Sequence, residues 1–393
     1  MTNSKPTIIV GGFLGLIHAG GAVWDYIQYP LGFYLMGYDV YYIEDTRLFP
    51  VYTDDWQNSE PTINRLRLIM ESFGLGDRWV YRDEVTNTIY GKSEKEYNDI
   101  CKRAEIFLNV SCANVMRDEY LRIPIRILLD SDPMFTQIQI NSEQSFTSGK
   151  GNLTDLAGLH THHFTFGENI NNTDCLIPNT PFDWQVTRQP ICLGYWGNSK
   201  TPKKADPFTT LMNWKAGKLL KYDNKNWGQK DLTFPLIKEL PVKCMNEKFK
   251  IAINQTGAEK DSKGMAKLEA AGWTLVSSEI ASGDHSIYQS FIYNSKGEIS
   301  VAKETYVKAK TGWFSCRSAC YLAAGRPVIT QDTGWSSFYP TGKGLFAFSK
   351  EAEAIDAVKE ISSNWDLHSK AARDIAQEYF DHNIVLKNML ESV

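Results

Sequence analysis

The sequence lacks most of the signals that assign a protein to a membrane, a secretory route or a metal-binding class. Its seven cysteines form no CxxC pair and show no Cys/His spacing of the zinc type. The N-terminus has no basic segment followed by an apolar core, and no run of about 18 apolar residues occurs anywhere. These absences predict reduced thiols, no transmembrane segment and a cytoplasmic protein.

The chain also lacks a strong excess of either charge. Its 42 Lys and Arg residues against 46 Asp and Glu residues leave a formal net charge of -4, without a continuous basic block. A broad positive surface for non-specific nucleic-acid binding is therefore not expected. Lysine-rich stretches at 200–204 and 215–225 leave a local basic groove open.

What is present is the composition of an ordinary globular protein with enough apolar residues for two cores. At 393 residues, 42% of them hydrophobic, the chain exceeds what one core usually organises. Strand-like runs at 7–12, 38–43, 105–110 and 123–130 alternate with helix-compatible stretches at 18–36, 62–73 and 94–103. This alternation predicts an α/β fold with a parallel sheet covered by helices on both faces.

A second α/β alternation follows a stretch rich in Asn, Thr and Pro at 169–190. Short strands are predicted at 163–166, 191–193, 248–253, 273–277 and 327–330, and helices at 262–271, 317–324 and within 349–390. We predict an N-terminal domain over 1–190, a second domain over 191–365 and a helical segment over 366–393. Ligands are expected in the cleft between the two sheets, at the carboxyl ends of the strands.

Residues 310–334 carry the most informative pattern, KTGWFSCRSACYLAAGRPVITQDTG. Gly312, Ser315 and Ser318 lie at the start of a predicted helix, whose exposed N–H groups and positive dipole end can receive a diphosphate. Arg317 adds a permanent positive charge with donors suited to phosphate. A well-capped structural helix with a turn behind it fits the same spacing.

The strand after this helix ends in a polar loop at a carboxyl edge. Upstream, the segment 295–303 offers two charged candidates for donor contact, Glu298 and Lys303, and a surface salt bridge is the alternative for each. In the loop itself, ribose or sugar hydroxyls are expected to bind Gln331, Asp332, Thr333 and Gly334.

This arrangement resembles the donor-binding region of GT-B fold glycosyltransferases of the family 1 and family 4 type, bacterial or phage. In that family a G-W-x-S-type loop leads into a helix, and A-x-G-x-P-V-[IV] opens the next strand; the matching pieces are 312–315, 323–329 and 332–334. The family's usual glutamate falls at Cys320, which leaves Asp332 or Glu298 to contact the donor ribose. The resemblance implies two Rossmann-like α/β/α domains facing a cleft, with the last helix crossing back to the first domain.

The first loop, VGGFLGLIHAGG at 10–21, looks like the family's other landmark, a glycine-rich entry into the first helix. The resemblance implies a donor contact at Gly15 and a general base at His18, whose imidazole titrates near neutrality. Close packing of strand against helix also explains the glycines, and a helix cap also explains the histidine.

Three carboxylates in the first half are further candidates for acceptor chemistry. Asp130 and Asp132 follow the strand-like residues 123–129, far in sequence from the donor helix, which favours acceptor contact or a local turn over metal binding. Glu168, which follows Gly167 at the end of a later strand, is a second candidate base. The histidines at 160, 162 and 163 lack a nearby Cys or carboxylate ligand, which favours strand-end packing over zinc.

The leading hypothesis is a metal-independent glycosyltransferase that moves a sugar from a nucleotide-diphosphate sugar, UDP-sugar first among them, to an acceptor hydroxyl. No bound cofactor is expected, and the acceptor stays open between a small molecule, a glycan and a hydroxymethylpyrimidine base of DNA. The alternatives are a nucleotide-sugar epimerase or a non-catalytic sugar-binding relative. A dinucleotide oxidoreductase is disfavoured because the first loop lacks G-x-G-x-x-G, although Glu44 or Asp45 follows the second strand.

Overall fold

The chain folds into two units, each built on its own sheet. The computed structural model describes residues 5–47, 58–142, 152–197, 206–214, 220–254 and 261–393. Unit 1 comprises Met1–Phe166, Pro178–Cys192 and His382–Val393, and unit 2 comprises Gly167–Ile177 and Leu193–Asp381. Both units alternate strands with helices, which confirms the predicted α/β fold class.

Unit 1 holds an eight-stranded sheet. Ile8, Ile9 and Val10 are fully buried, as expected for a parallel strand covered by helices on both faces. The elements are β1 Thr7–Gly11, α1 Gly20–Leu35, β2 Asp39–Glu44, α2 Glu60–Ser72, β3 Trp79–Asp83, β4 Thr88–Tyr90, α3 Glu94–Arg103, β5 Ala104–Val110, α4 Asp118–Leu121, β6 Ile125–Asp130, α5 Phe135–Asn141, α6 Leu153–Gly158, β7 His162–Thr165 and β8 Trp184–Val186. The strand order is β4-β3-β2-β1-β5-β6-β7-β8, and among these strands only β4 runs antiparallel to its neighbour.

Unit 2 holds a six-stranded parallel sheet and a separate hairpin. The elements are β9 Phe208–Asn213, β10 Leu220–Tyr222, β11 Lys225–Trp227, α7 Leu240–Lys243, β12 Phe249–Asn254, α8 Ser262–Ala270, β13 Thr274–Ser277, α9 Ser278–Ser282, α10 His285–Tyr293, β14 Gly297–Ser300, α11 Glu304–Ala309, α12 Cys316–Ala323, β15 Val328–Gln331, β16 Leu345–Phe348, α13 Glu351–Ser363 and α14 Trp365–Tyr379. The sheet order is β13-β12-β9-β14-β15-β16, while β10 and β11 pair with each other.

Two predicted segments take a different place in the structure. Residues 167–177 join unit 2 because the N–H of Asn169 donates to the carbonyl of Thr311 at 3.1 Å and that of Leu176 to Ala309 at 2.8 Å. No strand spans the predicted range 191–193: Ile191 forms a single bridge, and Leu193–Trp196 is a 3-10 turn. Three strands of the second sheet, β9, β14 and β16, were not predicted.

The last helix, α15 (His382–Glu391), belongs to unit 1, whereas the long helix α14 before it stays in unit 2. A Cβ placed on Gly32 of α1 would lie 2.6 Å from the Leu386 Cδ1 atom, so the two helices pack at close range. The N–H of His382 also donates to the carbonyl of Ile191 at 3.1 Å. Within the described residues, no helix combines the length and the apolar character that crossing a bilayer requires.

This packing predicts an unequal response to two truncations in α15. Leu386→Ala removes a fully buried side chain beside α1 and should lower the free energy of unfolding by about 2–5 kcal/mol. Ile384→Ala, at a side chain that is 41% exposed, should cost less than about 1 kcal/mol. Urea titrations of the full chain measure both, and equal losses would contradict the assignment of α15 to unit 1.

Candidate functional site

Three loops converge at the carboxyl edge of the second sheet: those that follow β14 and β15, and the one that leads into α12. The N–H of Gly312 donates to the carbonyl of Thr333 at 2.8 Å, and Thr333 Oγ1 donates to the carbonyl of Trp313 at 2.7 Å. The N–H of Ala302 reaches Gln331 Oε1 at 3.3 Å. The two halves of the predicted donor motif, 312–315 and 331–334, therefore lie together.

Glycine is required at position 312 by both conformation and space. Its φ is +75°, in the left-handed region that side chains disfavour. A Cβ there would lie 2.5 Å from the backbone nitrogen of Asn169. Asn169 is itself fixed, because its Nδ2 donates to the carbonyl of Lys310 at 2.8 Å. The loop into α12 is thus packed tightly against the segment that begins at Gly167.

The first turn of α12 has the features of an anion site. Ser315 occupies the N-cap position with an extended backbone, but within the described structure its side chain does not cap the helix. The positive dipole end of α12 is therefore not satisfied by that hydroxyl. Ser318 is fully buried, and its Oγ has no hydrogen-bond partner among the described residues. Its backbone N–H belongs to the first turn of α12.

Arg317 and Glu298 form a buried ion pair beneath α12. Arg317 Nε lies 2.6 Å from Glu298 Oε1, and Arg317 Nη1 donates to the carbonyl of Leu211 at 2.6 Å. Their side chains are 11% and 0% exposed. The surface salt bridge that the sequence offered as the alternative for Glu298 is wrong, because β14 is an interior strand and the Glu298 side chain is fully buried. Among the described residues, Glu298 Oε2 has no hydrogen-bond partner.

The other donor candidates of unit 2 have local partners. Asp332 caps the turn behind it: its Oδ1 accepts from the N–H of Gly334 at 2.9 Å and its Oδ2 from Ser336 Oγ at 2.7 Å. Lys303 begins α11, with its Nζ 5.1 Å from the ring centroid of Tyr306. Cys320, where the resembling family has glutamate, is buried within α12.

Glu168 lies in unit 2 and not, as predicted, in the first domain. Its side chain is only 7% exposed, and Tyr339 OH donates a hydrogen bond to Glu168 Oε1. Tyr339 packs in an aromatic group with Phe314 and Phe380, at ring-centroid distances of 5.1 and 5.3 Å. This packing gives Glu168 a structural partner near the loop that precedes α12.

In unit 1, one buried carboxylate holds the glycine-rich loop. Glu44, at the end of β2, accepts from the N–H groups of Gly15 and Leu16, both at 2.8 Å, and from Tyr42 OH at 2.8 Å. Burial raises the pKa of the Glu44 carboxyl to about 7, although these hydrogen bonds act in the opposite direction. The N–H of Gly15 is therefore bound to Glu44, which leaves it no donor for a phosphate.

His18 lies in this loop, two residues before the start of α1. Burial lowers the pKa of its imidazole, and the nearby charge of Arg65 lowers it further, while a backbone hydrogen bond with Gly15 acts to raise it. His18 is consequently neutral at pH 7, the state that a general base needs. From the sequence, Glu44 and Asp45 were named only as acidic residues after the second strand in the oxidoreductase alternative; in the structure Asp45 is paired with Arg117 at 2.5 and 2.8 Å.

The Asp130 carboxylate is interior and that of Asp132 is half-buried. Asp130 accepts from Thr136 Oγ1 at 2.6 Å, Gln137 Nε2 at 2.8 Å and Thr165 Oγ1 at 2.8 Å. Burial raises the pKa of Asp130, against these hydrogen bonds. Asp130 is therefore a structural residue, while Asp132 lines a cavity at the end of β6.

The histidine cluster packs as predicted. His160 Nδ1 lies 2.9 Å from the carbonyl of Leu156, and burial lowers its pKa to about 3. His163 Nε2 lies 2.9 Å from the carbonyl of Ala157, and its ring stacks on Phe182. In the part of the chain that the structure describes, no three His, Cys, Asp or Glu side chains are grouped to hold a metal ion. The lysine stretch at 200–204 lies outside the described residues, as does 215–219 of the second stretch.

The raised pKa of Glu44 predicts that stability falls with rising pH. The unfolded chain releases this proton near pH 4.5 and the folded chain near 7, so the free energy of unfolding should decline between these values by at most about 1.4 kcal/mol per pH unit and level off above. Glu44→Gln should remove this decline, whereas Glu71→Gln, on the exposed face of α2, should keep it. Urea titrations between pH 4.5 and 7 measure the free energy of unfolding of each protein. If it changed with pH in the same way in wild type and Glu44→Gln, the raised pKa of a buried Glu44 carboxyl would be contradicted.

No protein-family model matches the chain, and no curated protein matches its sequence. Solved structures do match it, at low identity. The chain is similar to an alpha-glucosyltransferase in complex with UDP and a 13-mer DNA containing a central A:G mismatch, with 10% identity, 99% of each chain covered and a TM-score of 0.52. It is also similar to the pneumococcal O-GlcNAc transferase GtfA in complex with UDP and GlcNAc, with 9% identity, coverage of 99% of this chain and 98% of that one, and a TM-score of 0.53.

A third match, TarM, is longer than this chain. The identity is 11%, the TM-score is 0.47, and 78% of this chain covers 59% of TarM. At such identities the first two matches establish the fold alone. That fold is the GT-B architecture of two Rossmann-like α/β domains, as the resemblance implied.

Proposed function

We propose that this protein transfers a sugar from a nucleotide-diphosphate sugar to an acceptor hydroxyl, with the diphosphate bound at the first turn of α12. The observation that carries this proposal is the meeting of an uncapped helix start, a buried arginine and three loops at one sheet edge. Helix N-termini at such edges are the usual places for phosphate groups in α/β proteins. UDP is the first nucleotide to test, because both fold neighbours were solved with it.

Arg317 is the charge that would stabilise the leaving diphosphate. As the bond between the sugar C1 and the diphosphate oxygen breaks, negative charge grows on that oxygen, and a fixed cation near it lowers the barrier. Glu298 holds the guanidinium in place but also neutralises it. The carboxylate of Glu298 and the diphosphate therefore compete for the same charge.

His18 is the proposed base in an inverting reaction. A neutral imidazole takes the proton of the acceptor hydroxyl while that oxygen forms its bond to C1. The backbone hydrogen bond with Gly15 orients the ring, and Glu44 fixes the loop that supplies it. No step in this scheme requires a metal ion or a resident cofactor, so we propose a metal-independent enzyme.

Calorimetric titration with UDP, GDP, ADP, TDP and CDP tests the donor site. The double variant Glu298→Gln/Arg317→Gln should bind the preferred diphosphate about tenfold to hundredfold more weakly than wild type, because a charge-assisted bond to phosphate contributes about 1.5–3 kcal/mol. The double change avoids leaving either buried charge unpaired. The single variant Glu298→Gln should bind it more tightly, because Arg317 is released from its carboxylate.

Arg67→Gln is the matched control, since Arg67 pairs with Glu71 on the exposed face of α2. It should leave nucleotide binding unchanged. Failure of all five diphosphates to bind wild-type protein would contradict the donor site. If the double variant bound the diphosphate with unaltered affinity, the nucleotide would bind elsewhere on the protein, and the role of Arg317 would be contradicted.

The base is tested by the pH profile of sugar transfer. Because the pKa of His18 is lowered from 6.5, the acid limb of kcat/KM should lie below pH 6.5. His18→Asn should reduce transfer by about 10²-fold or more without changing UDP affinity. His162→Asn, on β7 of the same unit, is the control and should retain activity. A His18→Asn enzyme with a wild-type rate would point to a retaining reaction without a dedicated base.

A further inference from the structure

Unit 1 contains a cavity that the donor site does not use. It has a volume of about 250 Å³ and lies at the carboxyl ends of β5 and β6, beside α5. That volume is somewhat below the roughly 300 Å³ at which sites for drug-sized ligands begin, so it has room for one ring of monosaccharide size. All of its lining residues fall between Tyr26 and Leu153, within unit 1.

Hydrogen bonds to Asp130 hold part of the cavity lining in place. Asp130 lines the cavity and accepts hydrogen bonds from Thr136, Gln137 and Thr165, which fix the turn at the end of β6. The N–H of Asp132 also donates to Asp130 Oδ1, at 2.9 Å. A carboxylate with four donors holds its surroundings in one geometry, as a preformed site requires.

One wall carries a chain of hydroxyl groups on a strained backbone. Tyr26 OH donates to Ser111 Oγ at 3.3 Å, and Ser111 Oγ lies 2.7 Å from Ser131 Oγ. Ser111 and Cys112 are both left-handed, with φ of +57° and +50°. Two successive non-glycine residues in that region cost about 1–3 kcal/mol each, and such conformations concentrate where ligands bind.

The charges of the lining residues favour a neutral ligand over an anionic one. Among the twelve lining residues, all of them in described parts of the chain, there is no Lys, Arg or His, whereas two are aspartates. A phosphate group would meet only like charge and hydroxyls there. Ser111, Ser131 and Gln139 suit a diol, and the rings of Tyr26 and Phe135 provide flat apolar surface of the kind that sugar faces contact.

We propose that this cavity binds an uncharged, hydroxyl-rich ring of monosaccharide size, and that this ring belongs to the acceptor. The second part rests on the proposed transferase function; the first part does not. The acceptor class is then a sugar or a glycoside. A base of DNA is disfavoured, because the lining offers two aspartates and no cation to a nucleotide that carries phosphates.

Cys112 provides a test in the unaltered protein. It lines the cavity and is half-buried, while the half-buried Cys175 and the buried Cys244 lie in unit 2, outside α12, and serve as internal controls. Iodoacetamide labelling is followed by peptide mass spectrometry in the presence of methyl glucoside, N-acetylglucosamine, glucose 6-phosphate or a hydroxymethylcytosine oligonucleotide. A neutral sugar at twice its Kd should slow labelling of Cys112 about threefold and leave both controls unchanged.

A variant separates binding in the cavity from binding elsewhere. Ser131→Leu fills the cavity with an apolar side chain and should abolish protection of Cys112 by the neutral sugars. Ser72→Leu makes the same change at an exposed position of α2 and should retain the protection of Cys112. Should Ser131→Leu not fold, the labelling of wild-type protein still decides.

Protection of Cys112 by the neutral sugars alone is the expected result. No protection by either neutral sugar, or equal protection by glucose 6-phosphate or the oligonucleotide, would overturn the proposal. UDP titrations on the same samples keep the two proposals apart. Protection of Cys112 by sugar without UDP binding would support the sugar site in the cavity and contradict the transferase function. UDP binding without protection by sugar would support the donor site and contradict the sugar site in the cavity.

Discussion

The ion pair between Arg317 and Glu298 is the interaction on which the proposed diphosphate site of unit 2 depends. The Arg317 guanidinium is charged and only 11% exposed, and the cost of burying it is offset by the carboxylate and by the carbonyl of Leu211, which accept its hydrogen bonds. This arrangement fixes a positive charge under the uncapped start of a helix. The loops joined by Gly312 and Thr333 then shape the space above it.

A buried carboxylate has the corresponding role in unit 1. Glu44 is bonded to two N–H groups of the glycine-rich loop, so the loop geometry that presents His18 is set from the end of β2. In both units, therefore, an interior acidic group on a parallel strand positions the groups that would meet a ligand. The acid itself contacts backbone or arginine. Asp132, by contrast, is half-buried and lines the cavity at the end of β6.

The sequence predicted the fold class and the helix and strand within 312–334 well, and the environments of single side chains less well. Strand and helix periodicity located the elements around 312–334, because β-branched runs and glycines fix local structure. Glu298 was misjudged as a surface residue, since β14 is a four-residue strand whose burial depends on neighbours distant in sequence. Glu168 was placed in the wrong unit for the same reason, because only tertiary contacts bring 167–177 to α11. The strain at Ser111 has no sequence signal at all.

Hydrogen–deuterium exchange across α12 tests the central claim most directly. The amides between 311 and 320 include the uncapped first turn of α12 and the loop that precedes it. Bound UDP should slow exchange in peptides from this region and leave the amides of the β10–β11 hairpin unchanged. Slower exchange that is confined to other parts of the chain, or no change with saturating UDP, would contradict a diphosphate site at this helix.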